Sequence, residues 1–155
     1  MEDVRWSADF RLRQWLGDYD ERLVERVEQT LDEKMATRLQ SAGARLSQMS
    51  ELLNVALQAP SASAVAAWAR YQMGRGATRE VWSEAGLGKA VLADVTWLRG
   101  EARDLAGKVY ARDQREEREP ELWIALMRRY AGWLRRRFVA MVVAATGGET
   151  DDEQG

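Results

Sequence analysis

The sequence predicts an all-α fold, a compact bundle of about five helices, and three observations carry that prediction. Apolar residues recur at spacings of three and four through most of the chain, as in Leu23, Val27, Leu31, Met35 and Leu39, or Val91, Leu92, Val95, Leu98, Ala102, Leu105 and Val109. Such spacing places them on one side of an α-helix. No segment sustains the period of two, enriched in β-branched residues, that marks a strand. Only Pro60 and Pro120 interrupt 155 residues, so the long segments between them are free to be helical. The hydrophobic fraction of 46% is enough for a packed core, and the length fits one domain.

The elements follow in order. Residues 1–17 are apolar and basic without a long clean period, and read as a possible N-terminal arm. From Asp18 the four-residue stripe begins, with Asp18 or Asp20 placed to cap a first turn, and Gly43 ends it. A second helix starts at Ser47 and stops before Pro60, because the residue preceding a proline avoids helical geometry. Ser61 or Ser63 offers the cap for a third over 64–73, which carries Val65, Trp68 and Tyr71 and ends at Gly74 and Gly76. Thr78 begins a short helical piece through Val81, Trp82 and Ala85, closed by Gly86 and Gly88. The long stripe of 91–109 follows, then a charged, solvated helix end and loop over 112–119. Pro120 suits the first turn of a last helix that carries Trp123, Leu126, Met127, Tyr130, Trp133, Leu134, Phe138, Met141 and Val142 up to Gly147 and Gly148. One domain therefore spans 1–148, followed by an acidic tail, 149–155, expected to be disordered.

Composition removes several kinds of chemistry. There is no cysteine and no histidine, so thiolate chemistry, thiolate metal sites and the commonest neutral-pH proton shuttle are absent. Carboxylate pairs such as Glu80 and Glu84 are ordinary helix-surface features. No catalytic residue, metal site or cofactor is expected, and enzyme function is disfavoured. No stretch approaches a membrane span and no basic flank precedes an apolar run at the start; a cytoplasmic protein without membrane contact is the expectation. The net charge of -2 conceals a segregation: residues 1–33 balance to -5, residues 34–112 to +5, residues 113–148 to +2, and the tail to -4.

Two basic segments stand out. Between Leu52 and Arg79 there is no acid, while Arg70, Arg75 and Arg79 gather around a glycine-punctuated helix junction, with Gln72 inside the run and Lys89 beyond it. Guanidinium forks beside open backbone donors match phosphate. The run lacks the Gly-Lys-Ser/Thr ending of a nucleotide-triphosphate loop, and its glycines also serve as plain helix ends. In the last helix, Arg128 and Arg129 stand two turns before Arg135, Arg136 and Arg137, with no acid between Glu121 and Glu149. Three consecutive helical arginines fan over about 200°, so Arg135 and Arg136 are expected to contact a ligand, and Arg137, near the stripe of Trp133 and Met141, the core edge. A solvated face with cations near a helix C-terminus is the plainer account of the same residues. Of seven tryptophans, most fall in helical stripes. Trp6 and Trp15, with Phe10, are the candidates for anchors of a protein interface.

Length, helical character and arginine-rich faces resemble the small subunits of type III CRISPR effector complexes. Ser47-Gln48-Met49 is similar to a short hydroxyl–glutamine–apolar signature of the Csm small subunit, and the stretch from Leu52 to Arg75, with Asn54 and Tyr71-Gln72-Met73-Gly74-Arg75, continues in the same manner. Ser50 stands where that pattern has an arginine, which moves the implied phosphate contacts to Arg70, Arg75 and the later arginines. The similarity covers about the middle third of the chain. It implies a non-catalytic scaffold subunit that contacts the backbone of guide or target RNA, lies beside other subunits of a multisubunit complex and self-associates. The candidate RNA contacts are Arg70, Gln72, Arg75, Arg79, Lys89, Arg128, Arg129, Arg135 and Arg136. The alternative is a protein–protein adaptor or self-assembling helical module without nucleic acid, in which the acidic first helix of one copy meets the basic last helix of another.

Overall fold

The amphipathic stripes of the sequence fold, in a computed structural model, into six α-helices and two π-helical turns. Residues 2–144 are described, with side chains from Phe10 onward, and among them there is no strand. The helices are α1 (Glu2–Thr30), α2 (Glu33–Ser41), α3 (Leu46–Gln58), α4 (Ala62–Gly74), α5 (Leu87–Val109) and α6 (Arg115–Phe138). One π turn, Glu80–Glu84, lies between α4 and α5, and a second, Val139–Val143, prolongs α6.

The count differs from the expected five for identifiable reasons. Residues 2–17 are not a separate arm in backbone terms: they run unbroken into α1, so Asp18 and Asp20 lie inside a helix instead of capping one. The stripe from Leu23 to Leu39 is interrupted by a cap. Asp32 adopts extended geometry and its carboxylate accepts from the Met35 N–H at 2.8 Å, which starts α2; an acid at this position satisfies an otherwise orphaned donor. Other boundaries follow the sequence reading closely. Ser61 caps α4 by accepting from the Ala64 N–H. Gln48 caps the start of α3, its side-chain carbonyl accepting from the Arg45 N–H at 2.9 Å. Pro120 departs from expectation. It sits in the second turn of α6, because the acid-rich residues Glu116 and Glu117 already form the first.

Helix α6 is the centre of the bundle, packing against α1, α3, α4 and α5. Leu122, Ile124, Leu126, Met127, Tyr130, Ala131, Leu134 and Phe138 are all buried along it. That set covers more than one face, so little of the helix is left for solvent. The seam between α1 and the antiparallel α5 is polar as well as apolar. Arg22 donates to Glu101 at 2.7 Å, Arg26 to Asp94 at 2.7 Å, and the Tyr19 hydroxyl to Asp104. Asp94, 1% exposed, also accepts from the Thr30 hydroxyl and from Tyr130 of α6. A buried carboxylate persists only with such partners, and here three helices are tied at one side chain. Burial first, then the Asp94 charge and its hydrogen bond, push the Tyr130 hydroxyl well above the ordinary tyrosine range. Tyr19 is raised chiefly by burial too, whereas hydrogen bonding from Tyr19 holds the Asp104 carboxyl low.

The link from α4 to α5 is tight. Thr78 donates its hydroxyl to the Gln72 carbonyl at 2.8 Å, closing the end of α4 instead of capping the next element. Gly86 has φ +93°, a region that favours glycine. At Gly88 a Cβ would lie 2.4 Å from Met73 Cγ and 2.6 Å from the Trp82 carbonyl oxygen. The start of α5 is thus pressed against the end of α4 and the π turn, which fixes how the intervening loop is displayed.

Candidate functional site

The nine candidate RNA contacts separate into two groups once the side chains are in place. Arg70, Arg75, Arg79 and Lys89 are all exposed, and none of their side chains has a hydrogen bond, ion pair or ring contact among the described residues. Arg70 stands on the outer face of α4, Arg75 is its extended C-cap residue, Arg79 precedes the π turn, and Lys89 lies in the first turn of α5. Glu80 and Glu84 of the π turn are the acids of this stretch, and both are exposed.

Tyr71 lies between Arg70 and Arg75 in the sequence, with 64% of its surface exposed, the most open large hydrophobic residue described. The sequence places it in one segment with Val65 and Trp68 among small alanines, without assigning it a face. The buried positions of α4 are Ala62, Val65, Ala66, Ala69 and Gln72, leaving Tyr71 on the side of Arg70. A signal was present: Tyr71 adjoins Arg70 and stands four residues before Arg75, which is the spacing of neighbours on a helix surface. Gln72 corrects the candidate set. It continues the inward positions 65 and 69, is only 2% exposed, and its side-chain oxygen has no partner. It belongs to the interior of α4.

The arginines of α6 are engaged inside the chain. Arg128 donates to the carbonyls of Ala56 and Ala59 at 3.0 and 3.3 Å. Arg129 pairs with Asp20 of α1 at 3.4 Å, beside the Trp133 indole N–H on the same carboxylate. Arg135 donates to the Ser50 hydroxyl at 2.9 Å and Arg137 to the Leu31 carbonyl at 3.1 Å. Arg136 remains exposed but lies over the Trp133 ring, 4.5 Å from its centroid. Of these arginines, only Arg129 meets an acid of α1 among the described residues.

These contacts share a logic that the sequence reading missed. Ala56 and Ala59 close α3 and Leu31 closes α1, so Arg128 and Arg137 satisfy orphaned carbonyls at helix C-termini, where the dipole also favours a cation. Arg11 and Arg115 do the same for the end of α5, through the Lys108, Gly107 and Tyr110 carbonyls. Arg38 donates to the Ala85 carbonyl after the π turn. Much of the arginine content is therefore consumed in joining helix ends to neighbouring helices.

At the opposite end of α1, Phe10 is 51% exposed. Trp15 is half-buried, packs on the core and has the Lys108 ammonium 4.7 Å from its ring centroid. The Trp6 side chain and the acidic tail 149–155 lie outside the described residues. Among the described residues no cluster of acids is arranged to hold a metal ion, and no helix is long and apolar enough to cross a membrane. A polar recess of about 510 Å³ lies between the α2–α3 turn and the loop at Gly76 and Ala77, bordered by Ser47, Gln48 and Glu80. Compared with protein-family models, curated proteins and solved structures, the chain matches none.

Proposed function

We propose that this protein is a non-catalytic scaffold subunit of a CRISPR-type ribonucleoprotein that contacts the RNA backbone through the α4–α5 junction. The observation that carries the reading is the set of exposed side chains Arg70, Arg75, Arg79 and Lys89, unpartnered among the described residues, in the same stretch as a solvent-facing Tyr71. Cations supply sequence-independent affinity for phosphate, and an open aromatic ring offers a platform for a base. The arginines of α6 contribute mainly to architecture in this reading, with Arg136 as the member still open to a ligand.

Fluorescence anisotropy with single-stranded RNA of arbitrary sequence tests it. Binding is expected to weaken linearly in log–log form as salt rises, and the combined Arg70→Gln, Arg75→Gln, Arg79→Gln variant should lower the slope by about two to three, since each lost phosphate contact removes roughly one. Tyr71→Ala should cost about 1–3 kcal/mol if the ring stacks on a base. Absence of binding at low salt, or a triple variant indistinguishable from the parent, would refute the reading.

A second reading is a helical adaptor without nucleic acid. Glu21, Glu25 and Glu28 of α1 are exposed and unpartnered among the described residues, and they recur on one face. Complementary charge steers protein association. Size-exclusion chromatography across a salt series distinguishes it: a salt-sensitive assembly without RNA favours this alternative, and a strict monomer at high concentration and low salt opposes it.

A further inference from the structure

We infer that the short break between α1 and α2 is a latched hinge, and that its release gives a dimer in which α1 is exchanged between two copies of this chain. The device needs no RNA and stands apart from the proposed function.

The break is narrow. The Leu31 N–H still donates to the Val27 carbonyl at 2.8 Å, and the Ala36 N–H donates to the Asp32 carbonyl at 2.9 Å. Regular helical bonding therefore stops just before Asp32 and resumes just after it. Asp32 has φ -83° and ψ -178°; its φ is close to helical, so ψ is what turns the chain. The apolar stripe Leu23, Val27, Leu31, Met35 and Leu39 crosses the break at constant spacing, and no member is more than 5% exposed. The same residues would equally suit one continuous helix from Glu2 to Ser41, roughly 60 Å long.

In that continuous helix the Met35 N–H would donate to the Leu31 carbonyl, four residues back. In the bent chain each of these groups has a substitute partner. The Asp32 carboxylate accepts from the Met35 N–H at 2.8 Å, and the Arg137 guanidinium donates to the Leu31 carbonyl at 3.1 Å. Two charged side chains, one of them from α6, thus hold apart the donor and acceptor whose union would straighten the hinge.

The surface that opening would expose fits a second copy of the chain. Helix α2 packs on the second π turn, whereas α1 packs on α5 and α6. Helical geometry at Asp32, with α2 still in place, swings α1 off both. Leu23 and Val27 of α1 then face water, and Asp94 and Glu101 of α5 lose Arg26 and Arg22. On α5 the acids Asp94, Glu101 and Asp104 are spaced to meet Arg26, Arg22 and Tyr19. The Trp97 ring also lies under Arg26, its centroid 5.2 Å from the guanidinium carbon. An α1 from another copy supplies the same set in the same register. Each copy regains its seam, and only the hinge differs between monomer and dimer.

The test is to break the latch. Asp32→Ala with Arg137→Met removes both halves. At high protein concentration this variant should run at twice the parent's mass in size-exclusion chromatography with light scattering. Its dimerisation constant should rise on the order of 100-fold, because the bent form alone loses its charge-assisted bonds. Isotope-filtered NOEs in a mixed dimer should join the Arg26 side chain of one copy to the Trp97 ring of the other. The dimer should persist at high salt, since partly buried pairs are screened little. Glu33→Pro added to the variant should return the monomer. Glu33 is the first residue of α2, where proline is tolerated, and the residue before a proline avoids helical geometry, so position 32 stays extended. A folded latch variant that remains monomeric overturns the hinge. A dimer that Glu33→Pro leaves intact, or whose Arg26–Trp97 NOEs stay within one chain, overturns the exchange. Should the double variant fail to fold, the parent decides. Refolded from denaturant at high concentration, it should yield a dimer fraction that Glu33→Pro removes. No dimer, or one indifferent to Glu33→Pro, overturns the proposal.

Discussion

The α4–α5 junction and helix α6 are both dense in positive charge, yet they use it differently. The junction holds Arg70, Arg75, Arg79 and Lys89 within 20 residues, and α6 holds five arginines between Arg128 and Arg137. In sequence the second array is the stronger signal, being longer, helical and free of acids. In the structure it is the more committed. A helix packed against four others has little solvent face, so its arginines emerge at the rims and meet the ends of neighbouring helices. The junction, by contrast, is a connection over the surface, where Thr78 already closes the end of α4 and the four cationic side chains meet no helix end among the described residues. Charge density along a sequence thus overstates availability wherever the helix that carries it is central.

The largest effect separating the two regions is expected in the polar seam that α6 shares with α1 and α5. Arg26→Met leaves the Asp94 carboxylate, 1% exposed, with hydroxyl donors only, and should cost about 3 kcal/mol of folding stability. Thermal and urea unfolding measure it; a loss under 1 kcal/mol would show that the seam tolerates an unpaired charge. Next comes Arg128→Ala. It strips two charge-assisted bonds from the end of α3 and should cost about 2 kcal/mol, whereas Arg75→Gln should stay within about 0.5 kcal/mol of the parent. Equal losses in the two variants would erase the distinction between committed and free arginines.

How much of this was legible beforehand depends on whether the signal was local. The all-helical class, the break before Pro60, the Ser61 cap and the stripe of α5 all follow from spacing and capping within a few residues. The split at Asp32 was missed because the apolar stripe runs through it unaltered, and only the backbone at the cap reveals the turn. Gln72 was misplaced on the surface because α4 is rich in alanine: with small residues all round, periodicity fixes the buried face poorly, and one residue of rotation separates Gln72 from the exposed Tyr71. For the arginines of α6 the deciding partners, Ala56, Asp20, Ser50 and Leu31, are distant in sequence. No spacing rule within a helix could have found them. The exposed junction cations were recoverable because nothing distant intervenes.

The seam also sets an alkaline limit. The hydroxyls of Tyr19 and Tyr130 are raised above the ordinary value by burial and by Asp104 and Asp94. A raised folded value means the neutral hydroxyl is favoured in the native state. Its contribution is complete below the unfolded tyrosine value of about 10 and is lost as pH climbs from there toward the folded values. The melting temperature should therefore hold to about pH 10 and then fall. Tyr130→Phe should cost about 1 kcal/mol at neutral pH, through the lost bond to Asp94, and should flatten that fall. An alkaline profile identical to the parent's would remove Tyr130 from the account.

The smallest expected effect is the sharpest probe of the comparison, because it concerns the residue that belongs to both groups. Arg136 lies in α6 but is exposed, with its guanidinium over Trp133. Stacking there does not consume its hydrogen-bond donors, so a phosphate could still be met. Yet the Trp133 ring is fixed from behind by its N–H bond to Asp20 at 3.1 Å, and Glu28 borders the same shallow cleft. Both carboxylates lower the local potential that a phosphate would meet. Arg136→Gln should therefore weaken RNA binding by less than about twofold, and lower stability by no more than about 0.5–1 kcal/mol, the value of an exposed cation–aromatic contact. Arg75→Gln in the same assay should weaken binding by roughly two- to fivefold and reduce the salt slope by about one. The decisive readout is the slope, because a stacking or folding effect leaves it unchanged while a lost phosphate contact does not. If Arg136→Gln lowers the slope as much as Arg75→Gln does, the ligand surface extends onto α6, and centrality in the bundle is not what withdraws an arginine from binding.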